Sequence, residues 1–242
     1  MLVKNQLEEK DIFHVFQTIL DLSNNSPLGY EALIRSVSIP SPEFIFHEAS
    51  DFGKLYEIDC YSIEKAIKTY QSNGYTSEDG KLFLNILPST ILHEYFMEFI
   101  MNLLKRDDLS KQEIILEISE SENIEDFDAF INKISELKKL GFKIAIDDFG
   151  RGYSDIKSII ELEPHYIKFD RYFSKELATC SKKRELIKSI ISYCEKYECE
   201  LILEGIERKV DLETAYKLGV TYVQGYLFGK PSSLKSKSVV IS

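Results

Sequence analysis

The chain has 242 residues, 44% hydrophobic and 29% charged, ordinary proportions for a soluble globular protein. Its formal net charge of −10 argues against a broad groove for a nucleic-acid polymer, which needs a basic stripe, yet a small phosphate ligand stays possible if cations offset the acid locally. No run approaches the ~18 apolar residues of a membrane span, and MLVKNQLEEKD lacks an apolar stretch of signal-peptide length, so the expected location is the cytoplasm.

Strand-like runs open the chain after a leader at 1–10. FHVFQTILDL (13–22) and LGYEALIRS (28–36) are separated only by SNNSP, too short for a helical crossover, so they are expected to pair antiparallel. SNGYTSEDG (72–80) is a loop between a helical segment and the third run, KLFLNIL (81–87). EIILEIS (113–119) follows. In EDFDAFINKISELKKLG, Phe127, Phe130, Ile131, Ile134 and Leu137 recur at helical spacing, with Gly141 as a C-cap candidate. KIAIDDF (143–149) and HYIKFD (165–170) are the next runs. Amphipathic SKKRELIKSIISYCEKYE then leads to ELILEGI (200–206), and KVDLETAYKLGV, closed at Gly219, leads to TYVQGYLF (221–228). Glycine and proline are sparse and no linker divides the chain. One domain is expected over 11–234, with a polar tail at 235–242. Eight near-continuous apolar runs alternating with helices predict an α/β fold, a closed (β/α)8 TIM-like barrel with one antiparallel strand.

The polar residues fall at the ends of these runs: Glu31, Asn85, Glu117, Asp147 and Asp148, Lys168, Glu204 and Gln224. In a barrel the carboxyl ends of parallel strands meet on one face, where barrel enzymes do their chemistry. Taken singly, each residue is more simply a cap or turn residue; eight together are hard to place that way. Adjacent carboxylates at the edge of a core need a cation between them. Carboxylates with an asparagine carbonyl suit hard divalent ions, Mg2+ or Mn2+, with Asp147 bridging two and Asp148 binding one. Two ions ~3.5–4 Å apart point to displacement at phosphorus. Lys168 would then hold the attacking water or offset developing charge. The alternation I-K-F-D puts Lys168 and Asp170 on one side of their strand. Cys60, Cys180, Cys194 and Cys199 form no C-x-x-C pair, and only His14, His47, His93 and His165 could join them, so neither zinc nor a disulfide is expected.

These residues sit in segments that resemble the EAL-domain cyclic di-GMP phosphodiesterases: GYEALIR, LFLNILPST, LEISES, KIAIDDFGRGYSDIKSI, YIKFD, LEGIE and QGYLFGKP, in that family's order and spacing. The resemblance covers about 11–234 and implies a barrel with an antiparallel strand that hydrolyses cyclic di-GMP to linear pGpG. It implies one metal on Glu31, Asn85, Glu117 and Asp147, a second on Asp147, Asp148 and Glu204, and a water positioned by Lys168. Substrate contacts are implied for Gln17, Leu33, Arg35, Gln224 and the Gly225–Pro231 turn. Arg35 is suited to a phosphate by its fixed bidentate fork; Tyr226 and Phe228 are equally stacking or packing residues. Glu120 matches a glutamate that steadies the loop after the DD pair, Glu207 a further site carboxylate, and a homodimer near DDFGRGYS is implied. The departures are Thr18, Ser119, Arg151 and Leu203, none of them a metal ligand. A receptor that binds cyclic di-GMP without cleaving it is the alternative, and a hydrolase for another phosphodiester is a third reading that Arg35 and QGYLFGKP speak against.

Overall fold

The computed structural model describes residues 11–105, 114–119, 122, 124–150 and 156–237. Eight strands close a barrel in chain order: β1 (Ile12–Asp21), β2 (Ser26–Ser36), β3 (Lys81–Ile86), β4 (Ile114–Ile118), β5 (Lys143–Phe149), β6 (Tyr166–Phe169), β7 (Glu200–Leu203) and β8 (Tyr222–Gln224). β1 runs antiparallel to both neighbours, β2 and β8, and every other pair is parallel. The reversal follows from its connection. Asp21 Oδ1 accepts from Ser23 N at 2.8 Å, Asn24 Oδ1 accepts from Ser26 N at 2.9 Å, and Asn25 takes a left-handed φ of 59°, so the chain turns back before a crossover could form.

The outer layer comprises α1 (Pro42–Asp51), α2 (Leu55–Ser72), α3 (Pro88–Leu92), α4 (Phe96–Lys105), α5 (Phe127–Lys139), α6 (Ile156–Leu162), α7 (Arg171–Ser174), α8 (Ser181–Tyr197) and α9 (Lys209–Leu218). α5 shows the logic. Asp126 caps it by accepting from Ala129 N at 2.9 Å, and Phe130, Ile134 and Leu137 form its buried stripe. Gly141, at φ 97°, turns the chain one residue past the C-cap Leu140.

The strands read as continuous apolar runs because both faces are covered; all five residues of β4 are buried. Outward residues such as Leu82, Leu84, Leu116 and Ile144 pack on the helices. Inward residues Ile19, Phe83, Ile115, Ala145, Tyr166 and Ile202 fill the barrel. After β8, Ser232 pairs with Phe16 of β1, and in the expected tail Lys237 N donates to Asn73 O at 2.9 Å beside the end of α2. Among the described residues no helix is long and apolar enough to cross a membrane.

Candidate active site

Side chains two apart on a strand share a face. The inner layer of Phe83, Ile115, Ala145, Tyr166 and Ile202 is therefore followed, two residues later, by Asn85, Glu117, Asp147, Lys168 and Glu204. These lie at or just past the C-terminal ends of their strands. Tyr222 packs against the same lower layer, and Gln224 follows it. On reversed β1 the order inverts: Ile19 belongs to the lower layer, and Gln17, two residues before it, lies opposite Glu31.

The adjacent carboxylates break this parity. In a regular strand Asp147 and Asp148 would point to opposite faces. Here the β5–β6 register shifts between Ile146 and Phe149, and Asp148 has a left-handed φ of 53°. Such a conformation in a non-glycine residue costs roughly 1–3 kcal/mol, and the surrounding structure must hold it. Its effect is to bring carboxylate oxygens of Asp147, Asp148 and Glu204 within 4.8 Å of one another.

Lys168, fully buried, is the cation at the centre. Its Nζ lies 2.7 Å from Glu117 Oε1, 2.7 Å from Asp147 Oδ1, 2.9 Å from Glu204 Oε1 and 3.5 Å from Glu31 Oε2. Burial alone would lower its pKa, but the carboxylates, Asp147 and Glu117 foremost, outweigh burial and hold it well above the ordinary lysine value. One ammonium does not satisfy so much acid. Burial pushes the Glu117 carboxyl well above the usual glutamate range, Lys168 reverses this only in part, and Glu31 and Asp147 add repulsion. Glu204 is pushed up to about 8 by burial, again with Lys168 opposing and Asp147 and Glu31 reinforcing.

The donor set fits a divalent cation. Glu117 is 0% exposed; its Oε1 forms an ion pair with Lys168, and its Oε2 has no hydrogen-bond partner among the described residues. A buried polar atom of that kind needs a ligand to account for it. Were all five carboxylates (Glu31, Glu117, Asp147, Asp148, Glu204) ionised, one lysine would leave a formal −4, five minus one. Hard oxygens in that number suit divalent ions of the magnesium and manganese kind.

Amides hold Glu31. Asn85 Nδ2 donates to Glu31 Oε1 at 3.1 Å, and Gln224 Nε2 donates to Glu31 Oε2 at 2.6 Å and to Gln17 Oε1 at 3.1 Å. Gln17 Nε2 donates in turn to Gly229 O at 3.1 Å, tying the turn after β8 to the mouth. Leu33 and Arg35 share the face of Glu31, two and four residues on, so they rise above the carboxylate rim. The hairpin register places Val15 opposite Leu33 and Phe13 opposite Arg35. These two went unnoticed in the sequence, where the antiparallel register was the available signal; Phe13 is exposed. Gly225 has a packing reason for its identity, since a Cβ there would lie 2.1 Å from Ile206 O. Pro231 is half-buried next to Ser232, whose backbone bonds Phe16. Phe228 packs on the core, whereas Tyr226 is exposed with Lys230 over its ring.

Asp170 departs from its expected placement. Strand parity does not extend to Asp170: β6 ends at Phe169, and the Asp170 carboxylate caps α7 by accepting from Tyr172 N at 2.7 Å. Glu207 is exposed and is not among the ion partners of Lys168. Glu120, Arg151 and the rest of 151–155 lie outside the described residues.

The sequence profile of the EAL domain matches residues 3–231. The chain belongs to the EAL domain family. This EAL domain is similar to the cyclic di-GMP phosphodiesterase PdeB of Shewanella oneidensis, with 27% identity over 239 residues, 97% of this chain and 28% of PdeB. It spans about a third of the length of the curated relatives it matches. Its barrel superposes on the c-di-GMP complex of the MucR phosphodiesterase of Pseudomonas aeruginosa with a TM-score of 0.81, 26% identity and 95% coverage of each chain. The Klebsiella pneumoniae BlrP1 manganese/cyclic di-GMP complex at pH 9.0 gives 0.78 and 26%, covering 94% of this chain and 58% of that one.

Proposed function

We propose that this EAL domain hydrolyses one phosphodiester bond of cyclic di-GMP, giving linear pGpG, with two divalent cations, Mg2+ or Mn2+, per site. The observation that carries this reading is the convergence of Glu31, Glu117, Asp147 and Glu204 on Lys168 at one barrel mouth. Leu33 and Arg35 rise above them on the same face. The naming of the relatives for cyclic di-GMP supports the choice of substrate.

Glu31, Asn85, Glu117 and Asp147 would hold one cation, and Asp147, Asp148 and Glu204 the other. Bound there, the pair supplies Lewis acidity and a water deprotonated near neutral pH. Lys168 orients that water through its Nζ protons and offsets charge building on the phosphoryl oxygens. The water oxygen bonds to phosphorus and gives up one proton to solvent, the bond from phosphorus to one ribose oxygen opens, and that oxygen takes up a proton from solvent. Gln224 and Asn85 keep the Glu31 carboxylate in place. Arg35 grips a phosphate with its planar fork. Gln17, Leu33, Gln224 and the Gly225–Pro231 turn line the substrate, in a homodimer acting in the cytoplasm.

The test is incubation of the purified chain with cyclic di-GMP and Mg2+ or Mn2+, with and without chelator, resolving nucleotides by chromatography. Formation of pGpG that the chelator stops is expected. Tight binding with no pGpG would replace this reading with a receptor, and cleavage of a generic phosphodiester uncompeted by cyclic di-GMP would replace the substrate.

A further inference from the structure

Outside the barrel, α2 buries Ile58, Cys60, Ile63, Ala66, Ile67 and Tyr70. Among them stands a carboxylate, Asp59, 1% exposed. A buried carboxylate is costly, several kcal/mol unless it is paired and hydrogen-bonded. None of the ion pairs among the described residues involves Asp59. Its Oδ2 instead accepts from Leu87 N at 2.9 Å. Burial pushes its carboxyl up to about 7, with the Leu87 N–H pulling the other way.

Leu87 is the first residue past β3, two beyond Asn85. The segment from Asn85 to Ser89 is tied from several directions. The Asn85 side chain reaches Glu31, Ile86 O accepts from Ser119 N at 3.4 Å, and Glu122 accepts from Ser89 N and Ser89 Oγ at 2.8 and 2.9 Å. Leu87 O also accepts from Thr90 N and Ile91 N of α3 at 3.1 and 3.2 Å, so the bond to Asp59 is the tie made to α2, and it lies next to the strand end whose main-chain position sets the reach of Asn85.

We infer that Asp59 is a positioning residue for Asn85 as a metal ligand, acting through the main chain at Leu87. This rests on the two-cation reading of the site. Groups behind the direct ligands orient them, and a shift of the strand end by a fraction of an ångström is felt at the cation.

The experiment measures Mn2+ affinity of the full chain without substrate, by calorimetry or the Mn2+ resonance signal. It compares wild type, Asp59→Ala, Asp59→Asn, Asn85→Ala and the double variants. Asp59→Ala should weaken Mn2+ binding about tenfold, Asp59→Asn, which keeps an acceptor for Leu87 N–H, by less than about threefold, and neither should matter once Asn85 is alanine. Unchanged affinity in Asp59→Ala, or an equal loss with and without Asn85, overturns the inference. If Asp59→Ala does not fold, Asp59→Glu, which displaces the acceptor by one methylene, enters the same cycle with the same two criteria. Failure of the two-cation reading looks different: wild type would bind no Mn2+, or Asn85→Ala would bind it as wild type does.

Discussion

The lower and upper layers of the barrel interior stand on the same strands, two residues apart. The lower layer, from Ile19 round to Ile202, is apolar and close-packed. The upper one is polar: Gln17, Glu31, Glu117, Lys168 and Gln224 are buried, while Asn85, Asp147 and Glu204 are partly open at the mouth. The backbone is common to both, so the difference comes from the side chains alone. Packing in the lower layer gives a floor that resists displacement. The upper layer gathers like charges that only a cation, the lysine or a metal, keeps ionised, so it holds ligands at the expense of stability.

If that division is right, substitutions in the two layers separate activity from stability. The largest effect is expected from Glu31→Ala: cyclic di-GMP hydrolysis falls below detection and Mn2+ binding weakens, as followed by product chromatography and calorimetry. Lys168→Ala should lower kcat by about 10²–10³ while KM moves far less, since the role proposed for Lys168 is to act on charge that develops during reaction. Wild-type turnover in either variant would contradict the roles assigned to the upper layer. In the lower layer, Ile115→Ala should remove about 2–5 kcal/mol of stability in a denaturant titration, through lost burial and a cavity. Its kcat and Mn2+ affinity should stay within about twofold of wild type, and a parallel collapse of both would show that the layers are not separable.

The smallest effect concerns pH. Folded-state carboxyls raised to about 7 in Asp59 and about 8 in Glu204 bind protons that the unfolded chain has released. Their contribution is full below the unfolded values and is lost as pH rises through the folded ones. In chelator, stability should therefore fall by on the order of 1–2 kcal/mol between pH 6.5 and 8. His14, lowered to about 4 by burial, acts below this window. On the proposed ligation, Mn2+ would take the place of the proton at Glu204 and should flatten the slope; an equally steep fall of melting temperature with Mn2+ present would count against the site.

Much of the barrel could be read from local pattern. The eight runs, the turn at SNNSP and the stripes of α5, α8 and α9 are period and punctuation, which neighbouring residues dictate. α3 and α7, with 5 and 4 residues, are too short to show a period. The runs at 200–206 and 221–228 end early, at Leu203 and Gln224, because the chain turns at Gly205 and Gly225 where backbones meet too closely for a Cβ. Asp170 followed the alternation on paper but not in space, since its side chain serves the next helix. Asp59 occupied an apolar position of a helix, a sign visible in the sequence whose meaning needed its partner.

Order along the chain determined that strands alternate with helices, that the first pair turns back, and that a polar residue ends nearly every strand. Only closure of the barrel decided that Asn85 meets Glu31 across 54 residues and Gln224 meets it across 193. It likewise decided that Asp148 swings to the side of Asp147, and that Lys168 lies among four acids. The reason is range: side-chain periodicity is set within a few residues, whereas distances across the mouth depend on strand register and on the packing of the whole ring.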